Sequence, residues 1–231
     1  MNDNCAINAR PVSPSERLPF KCTGCAACCR HVPRSVALEC PDIFRITKYF
    51  RDKDASIRNT DDFLARYAEP VLLDDCGFII YMLKVQGDDD ACIFLKENRC
   101  SIQKVKPRAC RIYPFVESPT ANGRFEYMVT LEHPHHFKGP MVSVRHWMNR
   151  FFFAEEKEAL HMDYQLVPKI ADLMRRIPEH NRHRAIALFL WYRYSDYDLE
   201  CSFLEQFRPI WRSCGWDSRL WQRRNEDLDL K

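Results

Sequence analysis

The sequence predicts an α+β fold, in which a small metal-organised region with short β-hairpins and helices precedes an all-helical C-terminal half. Ten of the twelve cysteines lie at or before Cys110. Short apolar segments between turn residues fill the first half, whereas apolar residues recur at helical spacing from Val144 onward. Because this order is typical of α+β proteins, we place a cysteine-cluster metal-binding domain at 20–137 and a helical domain or cap at 141–231.

Two helices are expected before the first strand. Pro41 and Asp42 open the first, since proline is tolerated in the first turn and a carboxylate suits the positive end of the helix dipole. The second extends from Thr60, its expected N-cap, to Glu69, and Pro70 ends it. The first helix has an apolar face at helical spacing, formed by Ile43, Ile46, Thr47 and Phe50.

Four segments have strand character and are grouped around two turns. The polar stretch 87–90 separates the first two, and Asn122-Gly123 is a turn signal between the other two. The four predicted strands are 77–85, 92–95, 112–117 and 125–132.

The C-terminal half shows two apolar stripes at the helical period of 3.6 residues. Residues 182–194 lie between the stripes and continue the helical pattern. The two stripes are Leu166, Ile170, Leu173, Met174 and Ile177, followed by Leu199, Phe203, Phe207 and Ile210.

Composition and charge pattern argue against several classes of protein. The net charge is +3 over 231 residues and the charges are interspersed, so we expect no nucleic-acid partner. Residues 1–20 lack the apolar run of a signal peptide, and no apolar stretch is long enough to span a membrane. We therefore expect a cytoplasmic protein without membrane contact. Twelve cysteines in a reducing compartment favour metal ligation over disulfides.

The first cysteine segment has ligand-like spacing. It holds Cys22, Cys25, Cys28 and Cys29, and Gly24 with two alanines removes bulk between the thiols. The spacing C-x2-C-x2-C also opens the ligand run of bacterial ferredoxins, whereas zinc sites more often pair two C-x2-C knuckles. Neighbouring side chains tend to diverge, so Cys28 and Cys29 would reach two centres or one of them would lie outside the ligand shell.

Three remote cysteines complete the candidate donors. Cys92, Cys100 and Cys110 are spread over a predicted hairpin and the turn after it, where each could reach a centre held elsewhere. Arg108 and Arg111 flank Cys110 and could lower a thiol pKa, donate hydrogen bonds to cluster sulfur, or bind an anion.

The order of these motifs resembles the YkgJ-type cysteine-cluster family, which is described as zinc- or iron-chelating and includes the flagellin lysine methylases. The resemblance covers roughly 20–137 and rests on C-x2-C-x2-C-C, Cys-Ile-Phe-Leu, Arg-Cys-Ser-Ile and Lys-Pro-Arg-Ala-Cys-Arg-Ile-Tyr-Pro-Phe. Lys106-Pro107 stands where members commonly have Arg-Pro, and His133-Pro134 where many have Cys-Pro. If His133 replaces that cysteine, the site mixes thiolate and imidazole, which keeps zinc open as an alternative.

We expect a [4Fe-4S] cluster bound by Cys22, Cys25, Cys28 and one remote cysteine. The first alternative is a Zn2+-stapled, non-catalytic scaffold or interaction module. The second, implied by the resemblance, is methyl transfer from S-adenosylmethionine to a protein lysine. Either a protein partner or a protein substrate would fit these alternatives, and the sequence does not decide whether the chain is an enzyme.

The remaining candidate residues are assigned structural roles. Cys40 stands where a helix N-cap would be expected. His135 and His136 are placed in a solvated turn. The cysteines without ligand-like spacing are Cys5, Cys76, Cys201 and Cys214.

Overall fold

The computed structural model describes residues 8–72, 79–195 and 197–213. The predicted α+β class is confirmed, with short antiparallel strand pairs and helices concentrated in the C-terminal half. The described strands are β1 (Ala9–Val12), β2 (Arg17–Pro19), β3 (Ala37–Leu38), β4 (Ala68–Leu72), β5 (Ile79–Leu83), β6 (Val85–Gln86), β7 (Ala91–Cys92), β8 (Leu95–Lys96), β9 (Arg99–Cys100), β10 (Phe115–Pro119), β11 (Phe125–Thr130) and β12 (Met141–Ser143). The described helices are α1 (Cys40–Arg51), α2 (Thr60–Tyr67), α3 (Arg108–Ile112), α4 (Val144–Phe151), α5 (Ala154–Arg176), α6 (Glu179–Leu190) and α7 (Phe203–Ser213).

The strands form small antiparallel sheets. One sheet has the order β1-β11-β10 and another the order β3-β5-β4. Two-stranded pairs are formed by β2 with β12, β6 with β7 and β8 with β9. The β2–β12 pair aligns Leu18 with Val142 and so brings the start of the cysteine segment beside the chain that follows the histidines.

The first predicted helix is present as α1, but its N-cap is Glu39. The Glu39 side chain and the Asp42 side chain form a reciprocal capping box, and Pro41 lies in the first turn. Cys40 is therefore the first helical residue and not the cap, and it is 1% exposed in the core. Ile43 and Ile46 point into the same core, as the apolar pattern predicts.

The second helix, α2, begins and ends earlier than predicted. Asn59 is its N-cap, because the Asn59 side chain accepts a hydrogen bond from the Asp62 backbone N–H at 2.9 Å. The Thr60 hydroxyl instead donates to the Ser195 carbonyl at 3.0 Å. The chain leaves the helix after Tyr67 and continues directly into β4, which contains Pro70.

Two predicted strands differ from the structure. The segment 92–95 is divided by a turn, since β7 pairs with β6 while β8 pairs with β9. The segment 112–117 begins in helix α3, and its strand β10 starts only at Phe115. The strand predicted at 77–85 is β5 followed by β6, and residues 77–78 of that prediction lie outside the described part. The hairpin around Asn122-Gly123 is confirmed as β10–β11.

The C-terminal helices bury both predicted stripes. Leu166, Ile170 and Met174 of α5 pack with Phe189 of α6. Leu199, Phe203 and Phe207 join the largest hydrophobic cluster, which also contains α1 and α2. The side chain of Ile210 and residues 214–231 lie outside the described part.

Hydrophobic clusters cross the predicted domain boundary. One contains Leu38 and Phe63 together with Tyr194 and Phe203. A second contains Ile112 and Phe115 together with residues of α4 and α5. The division into 20–137 and 141–231 stays a prediction, and the two segments share their cores.

None of the helices in the described part of the chain combines the length and the hydrophobicity that crossing a membrane requires.

Candidate metal centre

The first cysteine segment is a tight loop held against the turn at 87–90. Gly24 and Ala26 both have a left-handed backbone, with φ of 69° and 60°, so the chain curls before a short 3-10 helix, Ala27–Cys29. The backbone N–H of His31 donates to the Asp89 carbonyl at 2.8 Å, and Arg30 forms an ion pair with the Asp89 carboxylate. These contacts fix the exit of the loop.

The histidine segment runs beside the entrance of the same loop. A 3-10 helix spans Pro134–His136. The Lys21 backbone N–H donates to the His136 carbonyl at 3.0 Å, and the Phe20 N–H donates to the Pro140 carbonyl at 3.1 Å. Together with the β2–β12 pair, these bonds place the histidines next to Cys25.

Cys25, His135 and His136 form a compact group of metal donors, which we call the histidine site. The Cys25 Sγ atom lies 3.3 Å from His135 Nε2 and 3.0 Å from His136 Nε2. Among the described residues, this is the one group of three Cys, His, Asp or Glu side chains whose ligand atoms all lie within 4.8 Å of one another. Cys25 and His135 are exposed, whereas His136 is 3% exposed.

The surroundings of Cys25 favour its thiolate. A hydrogen bond from the Thr23 side chain contributes most to lowering the pKa of Cys25 from 9.0 to about 5. The two histidines and the backbone of Ala27 lower this pKa further. Cys25 is therefore charged at neutral pH, which is the state that binds a metal.

Tyr113 and His133 border the histidine site. The Tyr113 hydroxyl lies 2.9 Å from His136 Nδ1, the nitrogen that faces away from Cys25. Burial raises the pKa of Tyr113 above its ordinary range, and the charge of Cys28 adds to that effect. His133 lies with its ring centroid 5.4 Å from that of His136, and burial lowers its pKa.

A second set of donors is formed by Cys28, Cys92, Cys100 and Cys110, which we call the thiol group. Burial is the largest cause of the raised pKa of Cys110, and the charges of Cys92, Cys28 and Cys100 raise this pKa further. Cys28 has the same effect on Cys92 and on Cys100. The three remote cysteines therefore lie within electrostatic reach of Cys28 and of one another.

Cys28 and Cys29 do not diverge as predicted for neighbouring residues. Their Sγ atoms lie 3.9 Å apart. The hydrogen bond with Cys29 is the largest cause of the raised pKa of Cys28, followed by burial. Cys29 also packs against the cluster of Ala26, Ala91 and Leu95.

Three different elements carry the remote thiols. Cys92 pairs with Val85 in β6–β7, and Cys100 pairs with Leu95 in β8–β9. Cys110 lies in α3, whose Arg108 N–H donates to the Asp42 carboxylate at 2.8 Å. Short hairpins and a one-turn helix thus bring three distant parts of the sequence within electrostatic reach of Cys28.

Lys106 supplies positive charge next to the thiol group. It lowers the pKa of Cys28, Cys100 and Cys110, opposing the effect of burial. The lysine of the Lys-Pro-Arg-Ala-Cys motif therefore stabilises the thiolates that metal binding requires.

The predicted site residues thus divide between two places. Cys25 joins the histidine site, while Cys28, Cys92, Cys100 and Cys110 form the thiol group, with Cys29 beside it. Cys22 is exposed, and its charge contributes to the raised pKa of Tyr113. The ligand role of each of these residues, and of His133, stays a prediction.

Sequence reasoning missed the two histidines of the histidine site. The prediction of a solvated turn is wrong for His136, which is buried against Tyr113 and Phe20. The cluster of three imidazoles in His133-Pro-His-His was the available signal. Of the cysteines assigned structural roles, Cys201 is exposed, while Cys5, Cys76 and Cys214 lie outside the described residues.

Comparison with protein families agrees with this geometry. Residues 21–133 match the CxxCxxCC family, whose description is "putative zinc- or iron-chelating domain". This match is a resemblance of the cysteine-rich segment to that domain. The resemblance inferred from the motifs is thereby confirmed, and metal chelation is the property that the family description supports. No curated protein and no solved structure matches the chain.

The two sets of candidate donors fit both metals in that description. The thiol group offers sulfur alone, which suits zinc and iron–sulfur clusters. The histidine site offers one sulfur and two imidazole nitrogens, a set typical of a single borderline ion such as Zn2+. His135 and His136 lie beyond the last matched residue.

Proposed function

We propose that this chain binds an iron–sulfur cluster of the [4Fe-4S] type through Cys28, Cys92, Cys100 and Cys110. The observation that carries the proposal is the convergence of three remote thiols on Cys28. Ferredoxin-type sites instead take three ligands from the C-x2-C-x2-C run and one from a distant segment, so the proposed set replaces Cys22 and Cys25 of the expected ligands by two further remote cysteines.

The spacing of the thiol group also supports a cluster. Four sulfurs around one zinc ion would stand about 3.8 Å apart, given a tetrahedron with bonds of about 2.3 Å. Among the described residues, the histidine site is the one set of three donors whose ligand atoms all lie within 4.8 Å of one another. No three of the described thiols in the thiol group are that close together. Thiolates that bind different iron atoms of a cluster stand farther apart than ligands of one ion.

The protein supplies a positive charge near the thiols of this centre and buries part of it away from water. A bound [4Fe-4S] cluster would take up and release single electrons. Lys106 lowers the pKa of three of the four thiols and so favours their ionised state. Burial of Cys92 limits the access of water to one side of the centre.

The experiment is iron and acid-labile sulfide analysis of anaerobically purified chain, with Cys110→Ser and the matched control Cys201→Ser. We expect iron and sulfide in equal amounts in the wild type and the control, and loss of both in Cys110→Ser. Stoichiometric zinc with neither iron nor sulfide would overturn the proposal and favour the zinc-stapled scaffold.

A further inference from the structure

The histidine site differs chemically from the thiol group. It combines the Cys25 thiolate with the Nε2 atoms of His135 and His136. Imidazole nitrogen and thiolate together suit Zn2+, whereas an all-sulfur set suits a cluster. Only Cys25 of this site lies inside the matched segment 21–133.

We propose that Cys25, His135 and His136 bind a single Zn2+ ion at a centre separate from the thiol group, with the fourth coordination position open to solvent. This second centre goes beyond the proposed iron–sulfur function and does not depend on which metal the thiol group holds.

The observed distances suit one tetrahedral ion. Zinc bonds of about 2.3 Å to sulfur and about 2.0–2.1 Å to nitrogen place the two ligand atoms about 3.5 Å apart. The two sulfur–nitrogen distances are 3.3 Å and 3.0 Å. A Zn2+ ion would require each pair to separate by only a few tenths of an ångström.

Tyr113 orients one of the ligands. When His136 Nε2 binds a metal, Nδ1 carries the proton and donates to the Tyr113 hydroxyl oxygen, 2.9 Å away. A hydrogen bond of this kind fixes both the tautomer and the ring plane of a ligating histidine. Phe20 packs edge-on against the same ring with centroids 6.2 Å apart, which leaves the imidazole little freedom to turn.

Different cysteines serve the two proposed centres. Cys28 lies within electrostatic reach of Cys92, Cys100 and Cys110, and Cys25 lies within electrostatic reach of Cys28, so the two centres would be neighbours. Cys25 instead contacts the histidine segment through its Sγ atom. Ala26, between Cys25 and Cys28, has a left-handed backbone with φ of 60°, and the short 3-10 helix Ala27–Cys29 follows it.

Exposure of the site leaves room for a solvent ligand. His136 is buried, whereas Cys25 and His135 are exposed, so a bound ion would have protein on one side and water on the other. Zinc sites with three protein ligands and a water in the fourth position are the type found in zinc enzymes.

The test measures zinc, iron and sulfide in the full chain, purified anaerobically from zinc-supplemented medium. The variants are the double substitution His135→Ala with His136→Ala, the thiol-group variant Cys110→Ser, and the control His146→Ala, which alters an exposed histidine. We expect the double variant to lose its zinc and keep iron and sulfide. Cys110→Ser should show the opposite, and the control should keep all three.

Each result separates this proposal from the iron–sulfur proposal. Zinc retained in the double histidine variant would overturn the second centre, as would loss of iron and sulfide together with zinc. If zinc is lost only in the histidine variant and neither the wild type nor any variant contains iron, the result would support the second centre and overturn the iron–sulfur proposal.

The open coordination position has its own test. The chain loaded with Co2+ in place of zinc should change its visible absorption when azide is added, in both the wild type and Cys22→Ser. Loss of the bound ion in Cys22→Ser, or an unchanged spectrum with azide, would show that the protein fills the fourth position and would overturn the open site.

Discussion

The Sγ atom of Cys25 lies 3.0 Å from Nε2 of His136, although 111 positions separate the two residues in sequence. The contact is made by tertiary structure, because β2 pairs with β12 and the Lys21 N–H donates to the His136 carbonyl. Tertiary structure therefore brings Cys25 into contact with two histidines, whereas Cys28 lies near the distant cysteines.

Substitution of Tyr113 by phenylalanine should weaken metal binding at the histidine site without abolishing it. The ring and its packing would remain, but His136 Nδ1 would lose its partner at 2.9 Å. Loss of such a partner typically lowers metal affinity by about 10–100-fold. Competition with a chelator of known zinc affinity measures the change. Tyr127→Phe, in strand β11, is the control, and equal affinities in the two variants would contradict the role of Tyr113.

The reactivity of Cys25 should reveal its low pKa in the reduced, metal-free chain. Its pKa is lowered from 9.0 to about 5, so the thiolate is present above about pH 5 and is lost as the pH falls through that value. The alkylation rate of Cys25 should therefore change little between pH 6 and pH 8. The exposed Cys201, whose pKa is raised by its hydrogen bond to Asp198, should react roughly tenfold faster per pH unit over this range.

Mass spectrometry of peptides after timed alkylation with iodoacetamide follows both thiols in one sample. Parallel pH profiles for Cys25 and Cys201 would contradict the lowered pKa of Cys25.

Removal of the Lys106 charge should make the thiol group release its metal at a higher pH. Lys106 lowers the pKa of Cys28, Cys100 and Cys110, so Lys106→Met raises those pKa values and protons compete better with the metal. We expect the midpoint of metal loss on acidification to rise by roughly 0.5–1 pH unit. Lys104→Met, at an exposed position, is the control, and the midpoint should move only in Lys106→Met.

Substitution of Glu156 should destabilise the whole fold. This side chain is 3% exposed, accepts a hydrogen bond from Arg45 at 2.8 Å and forms an ion pair with Arg111 of α3. Glu156→Gln would remove the carboxylate partner of Arg111 and leave Arg45 with Asp42 alone, at a cost of about 3 kcal/mol in the free energy of unfolding. Urea unfolding followed by circular dichroism measures this cost.

Glu158→Gln is the matched control for that experiment. Glu158 pairs with Arg208, and both side chains are about two-fifths exposed, at 40% and 44%. We expect a loss of less than about 1 kcal/mol. If the two variants lose similar stability, the buried ion pairs do not hold α1, α3 and α5 together.

Local sequence signals predicted the helices well and the short strands poorly. Pro41 and Asp42 lie in the first turn of α1, as predicted. The tolerance for proline and the preference for a carboxylate at the helix N-terminus both act within one turn, so a short stretch of sequence is enough to predict them. The strand predicted at 112–117 begins in a helix, since the β propensity of Ile112 is overridden where α3 is anchored on α1 through the Arg108–Asp42 bond.

The candidate site was predictable only in part, because local sequence signals do not show which distant segments pack together. Cysteine spacing is a local property and led to the candidates Cys22, Cys25, Cys28 and Cys29, while the motifs around them singled out Cys92, Cys100 and Cys110. The pairing of Cys25 with His136 depends on β2–β12 and on the burial of one ring against Tyr113, and neither is encoded at a fixed spacing in sequence.

Native mass spectrometry of the anaerobically purified, intact chain tests the central claim most directly, because the mass increment identifies what is bound. We expect the wild type to carry the mass of four iron and four sulfide ions, and Cys110→Ser to lack it. An intact wild-type chain carrying zinc alone, with no iron and no sulfide, would contradict the assignment of an iron–sulfur cluster to the thiol group.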